Sequence, residues 1–177
     1  MLRVKFSPFA VAAAAAISLF AATVPMASHA ASYSTGINTV NFEVSLKIVA
    51  NCVIAAQPLD FGQTQGVLAT AVNVNTTLNV TCTNTTPYNV GLSPGTGAGS
   101  TGTTRYLAGT GANTQTVQYN LFQASGNTVW GNNQGTDTHS GTGTGVSQPI
   151  TVYGQVPVQS TPVPDTYKST ITATVYF

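Results

Sequence analysis

A two-residue beat runs through this chain and limits what it can fold into. Val40, Phe42, Val44, Leu46 and Ile48 alternate with Asn41, Glu43, Ser45 and Lys47. The same beat returns in Leu78–Cys82, Tyr88–Leu92, Val117–Leu121 and Ile150–Gly154, with a shorter piece at Thr128–Trp130. It closes with Ile171, Ala173, Val175 and Phe177 set against Thr170, Thr172, Thr174 and Tyr176. Successive side chains of an extended strand point to opposite faces, so each run presents one apolar face and one polar face. Gly, Pro, Asn and Ser clusters separate the runs and supply the turns. Helix is disfavoured throughout. The sequence holds 29 Thr with abundant Asn and Gly, all weak helix formers. Six or seven short strands predict an antiparallel β-sandwich of immunoglobulin type.

Charge narrows the function. Only 5% of residues are charged, against about 25% in an ordinary globular domain. Phosphate neutralisation needs clustered Lys and Arg, so no nucleic-acid partner is expected. Residues 1–30 read as a secretory signal peptide. Arg3 and Lys5 precede an apolar run from Phe9 to Val24, and Ser28-His29-Ala30 supplies the small residues of a cleavage site. Cleavage leaves 147 residues with Lys47, Arg105 and Lys168 against Glu43, Asp60, Asp137 and Asp165, a formal balance of −1. Export places Cys52 and Cys82 in an oxidising compartment, where a Cys52–Cys82 disulfide is the expected state.

The two ends of the exported part stand out. An extended, alternating segment precedes Cys52, and the last alternating run reaches Phe177. A free amphipathic strand invites pairing with another chain. A final strand without a following one leaves room for a neighbour. Insertion of the first into the second, molecule to molecule, is strand addition. Such a head-to-tail contact does not close on itself, so it builds a fibre.

Chemical motifs fail inspection. Gly97-Ala98-Gly99-Ser100-Thr101-Gly102 matches a dinucleotide-binding string, yet no helical period follows it. Asp137-Thr138-His139-Ser140 holds the residue types of a triad on one Gly-rich loop, an arrangement ill suited to a held relay. His139 is the single His after the signal peptide, so no multi-His metal site can form. No catalytic residue, metal ligand or cofactor is assigned, and the chain reads as a non-enzyme. Phe61 is expected to pack and Gly62 to turn. Asn75, Asn79 and Asn84 head Asn-x-Thr sequons. Trp130 and the tyrosines can serve either a sandwich core or the stacking of a sugar.

Taken in order, several pieces resemble the spore coat U (SCPU) family, the subunits of archaic chaperone–usher pili such as the Csu pilus. They are Phe42-Glu43-Val44 leading to Cys52, Asp60-Phe61-Gly62, Val80-Thr81-Cys82 and Pro87-Tyr88-Asn89-Val90. Next come Leu92-Ser93-Pro94-Gly95, Arg105, Tyr119-Asn120-Leu121-Phe122 and Trp130-Gly131. Val152-Tyr153-Gly154-Gln155-Val156-Pro157 and Tyr167–Phe177 complete the set. Pro164-Asp165-Thr166-Tyr167 and Lys168-Ser169-Thr170 depart from the family's usual turn.

The resemblance implies an all-β, incomplete immunoglobulin-like antiparallel β-sandwich that lacks its last strand and is completed by donor-strand complementation. It implies a signal peptide at 1–30, a donor arm at 31–46 and a pilin-type domain at 47–177. Val40, Phe42, Val44 and Leu46 would be the donor residues. Ile171, Ala173, Val175 and Phe177 would line the acceptor groove. The implied partners are other copies or related pilins, a periplasmic chaperone and an outer-membrane usher. The implied product is a secreted surface pilus for adhesion and biofilm growth, with this chain in the shaft. A carbohydrate-binding adhesin and a spore or cyst coat protein are the alternative readings.

Overall fold

The computed structural model describes residues 36–63, 68–124 and 128–177. The signal peptide at 1–30 and the start of the arm lie outside the described residues. The chain divides into two units, residues 1–44 and residues 45–177.

In the first unit, residues 36–44 are exposed and belong to no strand. Val40, Phe42 and Val44 are 86, 82 and 83% exposed. The alternation over 40–48 therefore does not enter the domain as its first strand. That place is taken by β1, Cys52–Ala56.

Among its described residues the second unit holds eight strands. After β1 come β2 Val72–Cys82, β3 Pro87–Leu92, β4 Arg105–Ala108 and β5 Thr116–Phe122, then β6 His139–Thr142, β7 Gln148–Val156 and β8 Ala173–Tyr176. Five form one sheet in the order β1-β2-β7-β5-β4, and three form the other in the order β6-β3-β8. All pairings are antiparallel. The alternation fixes the register, because a one-residue slip would turn every apolar side chain outward. Leu78 faces Ile150 across β2–β7, and Leu121 faces Gly154 across β5–β7. In the small sheet Val90 faces Val175 and Leu92 faces Ala173.

Strands β1, β4 and β6 escape the sequence reading, since each has four or five residues and too few alternations to register. The expected strand at 128–130 is a single bridge between Val129 and Phe122. The last strand is shorter than its alternation, because Ile171 precedes β8 and Phe177 follows it.

Two ties hold the sandwich. Cys52 and Cys82 stand opposite each other in the β1–β2 ladder and form the expected disulfide. Closing a loop of 30 residues stabilises by about 3–4 kcal/mol in the chain-entropy view. The second tie is Arg105, which is fully buried on β4. Its Nη2 donates to Leu92 O and Trp130 O at 2.9 and 2.7 Å, and its Nε donates to Ser93 O at 3.0 Å. Trp130, also fully buried, donates from Nε1 to Val90 O at 2.7 Å. Arginine's planar fork suits several carbonyls at once, and these bonds clasp the edge of the large sheet to β3 of the small one. Burial lowers the Arg105 pKa, while Tyr119 and Asp137 oppose that shift.

Candidate functional site: an open groove and an apolar arm

β8 pairs with β3 on one side, and among the described residues no strand occupies the other. β1 likewise has β2 as its one strand neighbour. The inner face of the large sheet therefore opens to the surface as a groove of about 1410 Å³. Its floor includes Leu78 of β2, Val152 and Val156 of β7, and Tyr119 and Leu121 of β5. One wall is the segment from Ala56 to Gln63, and the other runs from Thr161 to Ile171 and on to Ala173. The groove is the interior of a sandwich without a cover.

The 57–62 wall has a built shape. Asp60 Oδ1 accepts a hydrogen bond from Gly62 N at 2.8 Å, and Gly62 takes the left-handed conformation at φ 74°. This turn drops Leu59 and Phe61 toward the floor. Gly154 makes room for them: a Cβ there would stand 2.8 Å from Leu59 Cδ1 and 3.2 Å from Phe61 Cζ. Phe61 meets Tyr119 edge-on at 6.1 Å. Phe61 thus packs and Gly62 turns, as expected from the sequence.

The opposite wall is pinned by Asp165. Its carboxylate accepts from Thr110 N, Asn113 Nδ2 and Thr166 N, each at 2.7 Å, and from the Thr110 hydroxyl. These bonds favour the charged form, so the Asp165 pKa falls well below the ordinary carboxylate value, with Thr110 the largest cause. A backbone bridge between Lys168 and Ala108 ties the same segment to β4. On the floor, burial raises the Tyr119 pKa against the opposing effects of Ser169 and Arg105.

The sequence-derived acceptor residues separate here. Ile171 and Ala173 line the groove. Val175 is half-buried against the core opposite Val90, and Phe177 is 58% exposed. The donor residues Val40, Phe42, Val44 and Leu46 are all exposed, as are Ile37 and Ile48. Leu59, Phe61 and Tyr119 were not expected at the groove. The available signal was the i, i+2 spacing of Leu59 and Phe61 before a turning glycine.

The other motifs resolve as structure. Asp137 accepts from Asn133 N at 2.6 Å and from Asn133 Nδ2 at 3.1 Å, closing its own loop. The His139 ring lies against Trp130 at 5.6 Å, and burial lowers its pKa. Ser140 is exposed. The glycine string at 97–102 forms turns, with Gly99 and Gly102 at positive φ. Among the described residues no group of three or more His, Cys, Asp or Glu can hold a metal ion. No helix in the described part is long and apolar enough to cross a membrane.

The fold and groove define an all-β sandwich open along one side, of the incomplete immunoglobulin-like kind. The Spore Coat Protein U domain profile matches residues 38–174, and the chain belongs to that family. No curated protein matches the sequence. Among solved structures, the chain is similar to one in the crystal structure of the CsuC–CsuE chaperone–tip adhesion subunit pre-assembly complex, from archaic chaperone–usher Csu pili of Acinetobacter baumannii. Sequence identity is 23% and the TM-score 0.54, over 73% of this chain and 40% of that one. The chain thus spans less than half of the structure it matches.

Proposed function

We propose that this protein is a structural subunit of a secreted chaperone–usher pilus, polymerising by donor-strand exchange. The observation that carries the reading is the open groove beside the unpaired edge of β8, in a chain that also holds an exposed, alternating apolar arm. Val40, Phe42, Val44 and Leu46 enter the groove of a neighbouring subunit. Ile171 and Ala173 receive them, while Val175 and Phe177 extend the accepting edge. Each large apolar side chain so buried contributes about 1.5–3 kcal/mol. The inserted backbone also pairs amides that β8 leaves free.

Before assembly the groove exposes core residues, so a periplasmic chaperone holds it and an outer-membrane usher exchanges the chaperone for the next subunit. Such partners agree with the chaperone–subunit complex to which the fold is similar. The product is a surface pilus supporting adhesion and biofilm growth. Burial of Trp130 removes it from any sugar-stacking role, which weakens the adhesin reading. Localisation in a spore or cyst layer, without filaments, would favour a coat protein instead. Deletion of residues 32–42 tests the proposal: ladders on non-reducing gels and filaments by electron microscopy should disappear, and unchanged fibres would overturn it.

A further inference from the structure

The large sheet has two faces, and the groove uses one of them. The other points away from the sandwich and carries the alternate residues of β2, β7 and β5. In one row across these strands Asn75 stands opposite Tyr153, and Tyr153 opposite Phe122. In the next row Asn73 stands opposite Gln155, and Gln155 opposite Asn120. Thr77 faces Thr151 in the row before. Opposite side chains on one face lie about 5 Å apart, and successive rows about 7 Å apart. Phe122 is buried yet outside the core cluster, so it backs this face beside the half-buried Tyr153.

Charge avoids this face. Glu43 and Lys47 are on the arm, and Asp60, Asp165 and Lys168 border the groove. Arg105 is in the core and Asp137 closes its own loop. Hydrogen-bonding groups, by contrast, are gathered here and left unspent. Amide side chains elsewhere serve the chain itself. Gln159 bonds both backbone groups of Gln118, Asn113 holds Asp165, and Gln123 holds the Asp137 carbonyl. Among the described residues, the side chains of Asn75, Thr77, Asn120, Thr151 and Tyr153 make no hydrogen bond within the chain. Gln155 Nε2 donates to Asn73 Oδ1 at 2.9 Å, which fixes both amides and leaves the Asn73 NH2 group and the Gln155 Oε1 atom for a ligand.

An uncharged face gains nothing from a charged polymer. Tyr153 is ringed by amides and hydroxyls, not by the apolar residues that fill the centre of a protein interface. The matching partner is a neutral polymer whose units carry hydroxyls and a flat C–H face. Amides offer a donor and an acceptor to each hydroxyl, and tyrosine offers a ring with a polar tip. A sheet face has no walls to enclose a single sugar, so the ligand is an extended chain lying across the strands.

We propose that the outer face of the large sheet binds a neutral, extended polysaccharide, with Tyr153 as the stacking platform and Asn73, Asn75, Asn120 and Gln155 as hydrogen-bonding partners. The site lies on a sheet face, so it calls on neither the loops nor Trp130. Strand insertion fills the inner face of the same sheet and leaves this one open, so both can be occupied at once. In a fibre the face recurs once per subunit, and weak single contacts gain strength by avidity.

The test is co-sedimentation of the purified protein with microcrystalline cellulose, with chitin and with an anionic alginate gel. The protein should pellet with at least one of the two neutral glycans, not with alginate, and salt should leave the bound fraction unchanged. Tyr153→Ala should weaken binding about three- to tenfold. Asn75→Asp combined with Asn120→Asp, which leaves the ring in place, should weaken it also. Ser140→Ala on β6 should bind as the parent does. Unchanged melting temperatures separate lost binding from lost folding, and the Asp double variant decides the matter if Tyr153→Ala is destabilised. Failure to pellet with either neutral glycan, parent-like binding by the face variants, or binding abolished by salt would overturn the proposal. If the parent instead pellets by itself and the face variants do not, the face serves a second copy and the polysaccharide is overturned. None of these outcomes depends on strand insertion, which the arm deletion tests separately.

Discussion

β7 and β8 carry the same beat and have different fates. β7 lies between β2 and β5, and its inward residues Ile150, Val152 and Val156 are buried. Among the described residues β8 pairs with β3 alone, and all four of its residues remain half-buried. Alternation states which face of a strand is apolar; it does not state how many neighbours the strand has. The difference between the two strands is one missing neighbour, and the groove is what that vacancy leaves.

Four experiments press on this contrast. The largest effect belongs to the closed side. Trp130→Ala should cost about 3–5 kcal/mol, measured by urea unfolding, because it empties the core and strands the Val90 carbonyl that Trp130 now serves. Next is the disulfide: Cys52→Ser with Cys82→Ser should lower stability by about 3–4 kcal/mol. A small effect there would mean that the β1–β2 ladder holds its register without the bond.

The third experiment addresses the contrast directly. Ile150→Ala on β7 should cost about 2–5 kcal/mol, and Ile171→Ala on the groove wall clearly less, since Ile171 is half-buried. A synthetic peptide of residues 36–48 should raise the melting temperature of the parent in proportion to its occupancy. It should also raise the cost of Ile171→Ala toward that of Ile150→Ala. Equal costs without peptide would show that the open side is already closed.

The smallest effect is a pH dependence at Asp165. Its folded pKa lies below the ordinary 3.8, so the folded state favours the carboxylate. The stabilisation is present above the unfolded pKa and fades as pH falls below it toward the folded value. The stability difference between parent and Asp165→Asn should hold steady near neutral pH and shrink in acid. A difference independent of pH would remove the charge from the account of this wall.

Much of the fold was legible from the beat. The long strands β2, β5 and β7 show it over several residues, and their faces are as the sequence predicts. The paired cysteines and the final strand were legible for similar reasons. Arg105 was not, because a lone arginine gives no sign that four carbonyls await it. That role exists only once β3, β4 and the Trp130 segment have met. The groove was half legible. Periodicity gives the apolar face of Ile171 and Ala173, and the family resemblance alone pointed that face at a groove, whereas the Leu59–Phe61 wall depends on an inward-facing Gly154 far away in sequence. The arm shows the opposite failure: a full alternation over 40–48 forms no strand within its own chain, since a strand needs a partner to satisfy its backbone.

The position of the disulfide has a mechanical consequence. The arm joins the domain at Asn51, whose carbonyl accepts from Thr83 N and whose own N–H donates to Thr83 Oγ1. One residue later Cys52 is bonded to Cys82. A pull on the arm therefore passes covalently into the end of β2, the longest strand, which is laced to β7 over nine facing residues. β1 is bypassed and cannot be peeled off by tension. In the fibre proposed above, load on the arm would run through the disulfide into β2 and β7 rather than through β1.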